Sequence, residues 1–228
     1  FKTEEEARAF LEKCKNAQFV VSDIQTRPLK RFPAPPFTTS TLQQEASRKL
    51  HFSVSQTMSI AQRLYESGLI TYMRTDSVNL STLCLGASKK QIIELMGEEY
   101  LQIRKYTTLS KGAQEAHEAI RPTYMDKTSI EGTAAERRLY DLIWKRTISS
   151  QMADAQIEKT IIEISADGID ELFVATGEVI KFDGFLKVYM ESRDEDDDQS
   201  ASSLLPLVAL NQSLKLSSAE ATQRFTQH

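Results

Sequence analysis

The 228 residues are enough for one large domain or two small ones, and 40% of them are apolar. A mean hydropathy of -0.38 is that of a globular chain; no run approaches the roughly 18 apolar residues of a membrane span, and no basic segment leads into an apolar one as in a secretory signal. The net charge of -4 argues against nucleic acid only on average, because the excess of Asp and Glu lies after Ser150 and the residues before it are net basic.

The chain opens on Phe1 rather than Met, and we expect a piece of a longer protein. Thr3, with Glu6 at the capping-box position, predicts a first helix carrying Ala7, Phe10, Leu11 and Cys14 at helical spacing. Gln18–Ile24 reads as a strand. Pro28, Pro33, Pro35 and Pro36 then predict a connector. Ser40 predicts the cap of a helix bearing Leu42, Ala46 and Leu50. Ser53 or Ser55 predicts the cap of another, bearing Met58, Ala61, Leu64 and Tyr65 and stopped by Gly68. Two short helices across a tight turn resemble a helix-turn-helix.

Ile70–Asp76 follows as an extended segment, and Asp76 or Ser77 begins a turn. A helix is predicted over Thr82–Met96 with Gly97 closing it, and Leu101–Thr123 reads as irregular. Thr133 and Glu136 form a capping box for a last helix with Leu139, Leu142, Ile143 and Trp144. Beyond Ala153 the pattern turns β-rich: Ile157–Ser165, Glu171–Thr176, Val179–Phe182, Phe185–Met190, Leu204–Leu210 and Ser213–Leu216. Asp167-Gly168 and Asp183-Gly184 are hairpin signals, and Arg193–Ser200 is a charged loop.

A lone early strand needs partners, and the last third can supply them. We therefore expect an α+β chain in which a helical domain (38–150) is inserted in an antiparallel β domain built from 1–37 and 151–228. Cys14 and Cys84 stand far apart, in no CxxC pair, so neither a zinc site nor a disulfide is expected and a reducing cytoplasm suits them.

Within the extended segment side chains alternate, so Tyr72, Arg74 and Asp76 share one side and Thr71, Met73 and Thr75 the other. A free phenol, with a pKa of about 10, is a poor nucleophile at neutral pH. A nearby guanidinium favours the phenolate and can grip a phosphate through two oxygens, and Asp76 can orient that guanidinium. On spacing alone, a strand with one aromatic residue and a surface Arg–Asp pair accounts for the same residues. Ala113–Thr123 adds His117 between Glu115-Ala116 and Glu118, with Arg121 beyond. Such a histidine can handle a proton or a phosphate, and the stretch is not HExxH, because Arg121 stands where the second histidine would be.

GLITYMRTDSVNLS (Gly68–Ser81) and AQEAHEAIRPT (Ala113–Thr123) resemble bacterial DNA topoisomerase I, of the type IA family. PPFTTSTLQQEASRKL (Pro35–Leu50), MSIAQRLYESG (Met58–Gly68), LYDLIWKRTISSQM (Leu139–Met152) and KFDGFLKVY (Lys181–Tyr189) resemble it in the same order. The resemblance implies tyrosine attack on a DNA backbone phosphate, a 5′-phosphotyrosine, strand passage through a protein gate, and religation. Tyr72 stands at the family's tyrosine and Arg74 at the arginine that helps stabilise the scissile phosphate, with Asp76 beside them. His117 matches the histidine tied to binding the strand near the cut. Glu115, Glu118 and Arg121 come with it as DNA-binding candidates.

The resemblance further implies Mg²⁺ in the full-length enzyme, held by an acidic cluster of a Toprim domain that this chain does not supply. The acidic run Asp194–Asp198 reads as a solvated loop, not a metal site, and we expect no metal bound by this piece. The implied partners are single-stranded and negatively supercoiled DNA and the parent's other domains, without a membrane. The implied architecture is a β arch with the tyrosine-bearing helical domain at its tip. A noncatalytic single-stranded DNA-binding module, with Tyr72 stacking on a base, and a topoisomerase III-like or reverse-gyrase-like member are the alternatives.

Overall fold

A computed structural model describes residues 3–106, 118–189, 206 and 208–222. Its elements are α1 (Glu4–Asn16), β1 (Phe19–Arg31), α2 (Thr39–Leu50), α3 (Val54–Glu66), α4 (Thr82–Met96), α5 (Ala134–Ser150), β2 (Ala155–Ala166), β3 (Ile169–Phe182) and β4 (Ser213–Leu214). They fall into two compact units. One comprises Phe1–Leu29, Ile157–Ile180 and Gln199–His228, the other Lys30–Gln156 and Lys181–Asp198.

The first unit is built on an antiparallel sheet of order β3-β2-β1-β4, so the early strand does pair with strands from the last third. Gly168, at φ 75, makes the tight turn between β2 and β3. Phe19 and Val20 pair with Leu214 and Ser213. Thr3 caps α1 by accepting the Glu6 N–H, and Glu4, Glu5 and Glu6 complement the positive end of its dipole. A small core joins Cys14, Phe19 and Ala166, with Phe10, Ile164 and Phe173 packed against it. Phe173 meets Phe19 edge-on, centroids 5.3 Å apart.

Three strand expectations change. β1 continues through Pro28 to Arg31. Among the described residues β4 pairs only with the start of β1, so the edge near Pro28 carries no ladder there, a setting in which a strand tolerates proline. Glu171–Thr176 and Val179–Phe182 are one strand, β3. Phe185–Met190 is not a strand: Gly184–Lys187 forms a 3₁₀ turn. Gly184 has φ 50, and an added Cβ would lie 2.5 Å from the Ala153 carbonyl oxygen and 2.6 Å from that of Asp154. Gly184 thus serves a close approach of the chain to residues 153–154 rather than a hairpin turn. Of the predicted strand Leu204–Leu210, residues 204, 205 and 207 lie outside the described residues, as does the acidic run Asp194–Asp198.

The second unit packs α2, α3 and α5 around one core. Leu42, Ala46, Ile60, Ala61, Leu139, Ile143 and Ile148 are buried there at helical spacing, with Phe37 from just before α2 among them. Trp144 keeps its indole N–H satisfied by donating to the Met125 carbonyl at 2.9 Å, and the Tyr140 hydroxyl donates to that of Lys127 at 2.7 Å. The predicted capping box of Thr133 and Glu136 forms at α5, and α4 has the predicted bounds with Ser81 as its cap. The cap of α2 is Thr38, not Ser40. Thr38 and Thr41 form a reciprocal capping box, which places Ser40 inside the first turn. Cys14 and Cys84 are both buried free thiols.

Candidate active site

Gly68, at φ 69, ends α3 and sends the chain into the segment Leu69–Ser77. The segment is extended, and among the described residues its only β pairing is an isolated antiparallel bridge of Ile70 with Pro122. Its first part rests on residues 119–123: the Thr71 N–H donates to the Arg121 carbonyl at 2.9 Å, and the Thr123 N–H to that of Leu69 at 3.0 Å. The Thr71 hydroxyl donates to the Ala119 carbonyl at 2.7 Å and accepts the Arg121 N–H at 2.9 Å. Its second part rests on the start of α2. The Thr39 N–H donates to the Thr75 carbonyl at 2.9 Å, and the Thr39 hydroxyl donates to the Met73 carbonyl and accepts the Thr75 N–H, each at 2.9 Å. Between the two anchors Met73 is only 2% exposed and pegs the segment into the core.

Exposure alternates accordingly. Tyr72 is 46% exposed, and Arg74 and Asp76 are exposed too, whereas Thr71 and Thr75 are half-buried. The Tyr72 ring lies edge-on to Tyr65 of α3, centroids 5.2 Å apart. Arg74 and Asp76 line an open pocket of about 480 Å³ with Thr38, Thr39, Ser40 and Thr75. The residues around this pocket therefore include one cation, one carboxylate and four hydroxyls, a lining suited to a polar or anionic group.

Glu118 and Arg121 face each other instead. The Arg121 guanidinium bonds the Glu118 carboxylate at 2.6 Å, and that carboxylate accepts the Ser81 N–H at 2.6 Å, at the start of α4. Arg121 also donates to the Pro122 carbonyl at 2.9 Å. Burial opposes ionisation of Glu118, but its bonds with Ser81 and the Arg121 guanidinium outweigh burial and hold the carboxyl below its usual range. The Cys84 thiol, in the first turn of α4, is pushed up by burial despite Arg121 nearby. His117 and Glu115 lie outside the described residues. Among the described residues no group of three His, Cys, Asp or Glu converges as a metal site. No helix there is long and apolar enough to cross a membrane.

Thr39, Thr71 and Tyr65 also belong to the site, and nothing in the sequence analysis singles them out. Their signal was present only as position: two threonines and a tyrosine inside the motif stretches, with nothing local to separate them from other helix-start or core residues.

The family model described as DNA topoisomerase matches residues 1–228. The chain belongs to the bacterial DNA topoisomerase I family. DNA topoisomerase 1 of Zymomonas mobilis is 42% identical over 97% of this chain and 19% of its own length. That of Mycolicibacterium smegmatis is 47% identical over 89% of this chain and 23% of its own. The solved structure of full-length topoisomerase I from Thermotoga maritima superposes with a TM-score of 0.74, at 34% identity, over 94% of this chain and 35% of that one. The chain thus spans about a fifth of the curated family members it matches. Its mixed helical and antiparallel-sheet architecture is that of the topoisomerase I structure.

Proposed function

We propose that this chain is the gate portion of a type IA DNA topoisomerase, with Tyr72 as its nucleophile. The Tyr72 phenolic oxygen gives up its proton to solvent and bonds to the phosphorus of a single-strand linkage, the bond from phosphorus to the 3′-oxygen breaks, and that oxygen takes up a proton from solvent to leave as a hydroxyl. The 5′-phosphate stays on the tyrosine. Attack by the same 3′-hydroxyl on the phosphotyrosine reverses the step and remakes the linkage without an outside energy source, after a strand has passed and negative supercoils have relaxed. Arg74 stabilises charge on the phosphate oxygens, and Asp76 borders the same pocket. Glu118 and Arg121, bonded to each other, contribute to the DNA-binding surface. His117 and Glu115 contribute to holding the strand.

The observation that carries this reading is the exposed Tyr72 two residues from an exposed Arg74, on a segment anchored at both ends. Mg²⁺, where the parent enzyme uses it, is held outside the residues described above, and the chemistry assigned here is that of Tyr72 and Arg74. The isolated chain is inactive, the parent acts in the cytoplasm, and its other domains complete the DNA groove.

The exposed aromatic pair Tyr65–Tyr72 also suits base stacking without catalysis, and one experiment separates the two readings. Tyr72→Phe in the full-length parent keeps the ring and removes the hydroxyl. We expect it to bind a single-stranded oligonucleotide but form no covalent adduct on a denaturing gel. Adducts formed by the Phe variant, or none formed by the wild type, exclude Tyr72 as the nucleophile.

A further inference from the structure

Thr38 and Thr39 are adjacent and identical, yet their side chains do different work. Thr38 and Thr41 cap α2 between them, the Thr38 hydroxyl accepting the Thr41 N–H and the Thr41 hydroxyl accepting the Thr38 N–H at 2.9 Å. The helix therefore does not need the Thr39 hydroxyl. That hydroxyl reaches a segment more than thirty residues further along the chain. It donates to the Met73 carbonyl and accepts the Thr75 N–H, both at 2.9 Å. The Met73 carbonyl belongs to the peptide group that precedes Arg74, and the Thr75 N–H to the peptide group that follows it. One oxygen thus ties down both peptide planes flanking Arg74. Because a peptide group is planar, fixing the two planes fixes φ and ψ of Arg74 and the direction of its Cα–Cβ bond. The Thr39 N–H, free of helix bonding at this first position, adds a third tie to the Thr75 carbonyl at 2.9 Å.

We propose that Thr39 is the positioning residue for Arg74, aiming its guanidinium at the phosphate that Tyr72 attacks. The inference rests on the reading of Tyr72 and Arg74 given above. The side chain of Arg74 is exposed, so its own packing does little to hold it, and the backbone beneath sets where it starts. Thr39 lines the same pocket as Arg74 and Asp76, but its hydroxyl is engaged with backbone. It therefore acts through Arg74 and makes no contact with DNA by that oxygen.

The test uses the full-length parent and single-turnover formation of the covalent oligonucleotide adduct. Thr39→Val keeps the shape of the side chain and removes the hydroxyl; cleavage should fall about tenfold, as for loss of one pair of half-buried hydrogen bonds. Thr39→Ser restores the hydroxyl and should cleave within about threefold of wild type. Oligonucleotide affinity should be unchanged in both. In an Arg74→Ala background Thr39→Val should cost less than about twofold, because residues that act through one another are non-additive. Melting curves establish that each variant is folded, and Thr39→Ala carries the same comparisons if the valine variant is not. Wild-type cleavage by the variant lacking the hydroxyl, no rescue by serine, or a full tenfold loss in the Arg74→Ala background overturns the proposal. Tyr72→Phe run in parallel keeps the two questions apart: adducts from that variant remove Tyr72 as nucleophile, whereas the coupling of Thr39 to Arg74 is read in the wild-type tyrosine background.

Discussion

Tyr72 and Tyr65 meet edge to face, with ring planes at 66° and centroids 5.2 Å apart. Tyr65 lies in the last turn of α3, so the helix that ends in Gly68 also supplies a surface for the ring that follows it. Such a pair is worth about 0.5–1.5 kcal/mol beyond its buried area. That is enough to bias the rotamer of an otherwise exposed phenol.

Tyr65→Phe preserves the ring, and the full-length parent carrying it should form oligonucleotide adducts at the wild-type rate. Tyr65→Ala removes the edge-to-face contact and should slow adduct formation by about two- to thirteenfold, the range that those energies convert to. Equal rates for alanine and phenylalanine would mean that Tyr65 does not orient Tyr72.

Arg74→Lys keeps the charge but loses the planar fork that can grip two phosphate oxygens. Cleavage by the full-length variant should fall at least about tenfold, the equivalent of about 1.4 kcal/mol of charge-assisted hydrogen bonding. Oligonucleotide binding should change far less. Wild-type cleavage rates would leave Arg74 as a point charge with no bidentate role.

Glu136 links two helices of the second unit. Its carboxylate accepts from the Arg63 guanidinium of α3 at 2.7 Å and from the Thr133 N–H at 2.8 Å. The Arg63 hydrogen bond first, and the Thr133 bonds after it, lower its pKa from 4.5 to about 2. A depressed folded-state pKa means that the ion stabilises the fold fully above pH 4.5 and that this contribution is lost as pH falls towards 2. Glu136→Gln keeps most of the capping geometry and removes the charge. The melting temperature of the variant should lie below that of the wild type at pH 7, and the gap should close through that acid window. A gap of the same size at pH 7 and pH 2 would show that charge is not what Glu136 contributes.

Gly184→Ala should be the most damaging of the small substitutions. The added Cβ would sit 2.5 Å from the Ala153 carbonyl oxygen, and φ is 50. Backbone strain and overpacking of this kind cost about 1–3 kcal/mol each. Denaturant unfolding of the purified chain should show a loss of at least about 2 kcal/mol. A neutral outcome would require the 3₁₀ turn to move away from residues 153–154.

Much of this molecule was legible in short stretches of sequence. The cap of α1 at Thr3, the capping box of Thr133 and Glu136, and the span of α4 between Ser81 and Gly97 depend on residues three or four apart. The same holds for the exposure of Tyr72, Arg74 and Asp76, because alternation is a property of extended backbone itself. The α+β class followed from periodicity changing after Ala153.

Long-range structure decided the rest. Thr38 displaced Ser40 as a cap because Thr41 was free to reciprocate, and the start of α2 was needed elsewhere, at residues 73–75. Glu118 and Arg121 read from sequence as DNA-binding candidates, and only the fold shows that each also bonds the other and the backbone around Ser81 and Pro122. Gly184 looked like a hairpin glycine until the carbonyls of Ala153 and Asp154 came within 2.6 Å of where a side chain would start. In each case the deciding partner lies outside the window in which propensity or pattern acts. A threonine hydroxyl has the same local chemistry at a cap, on a surface or against a distant peptide group. Its local sequence fixes what it can bond, and only the packing of α2 against residues 73–75 fixes what it does bond.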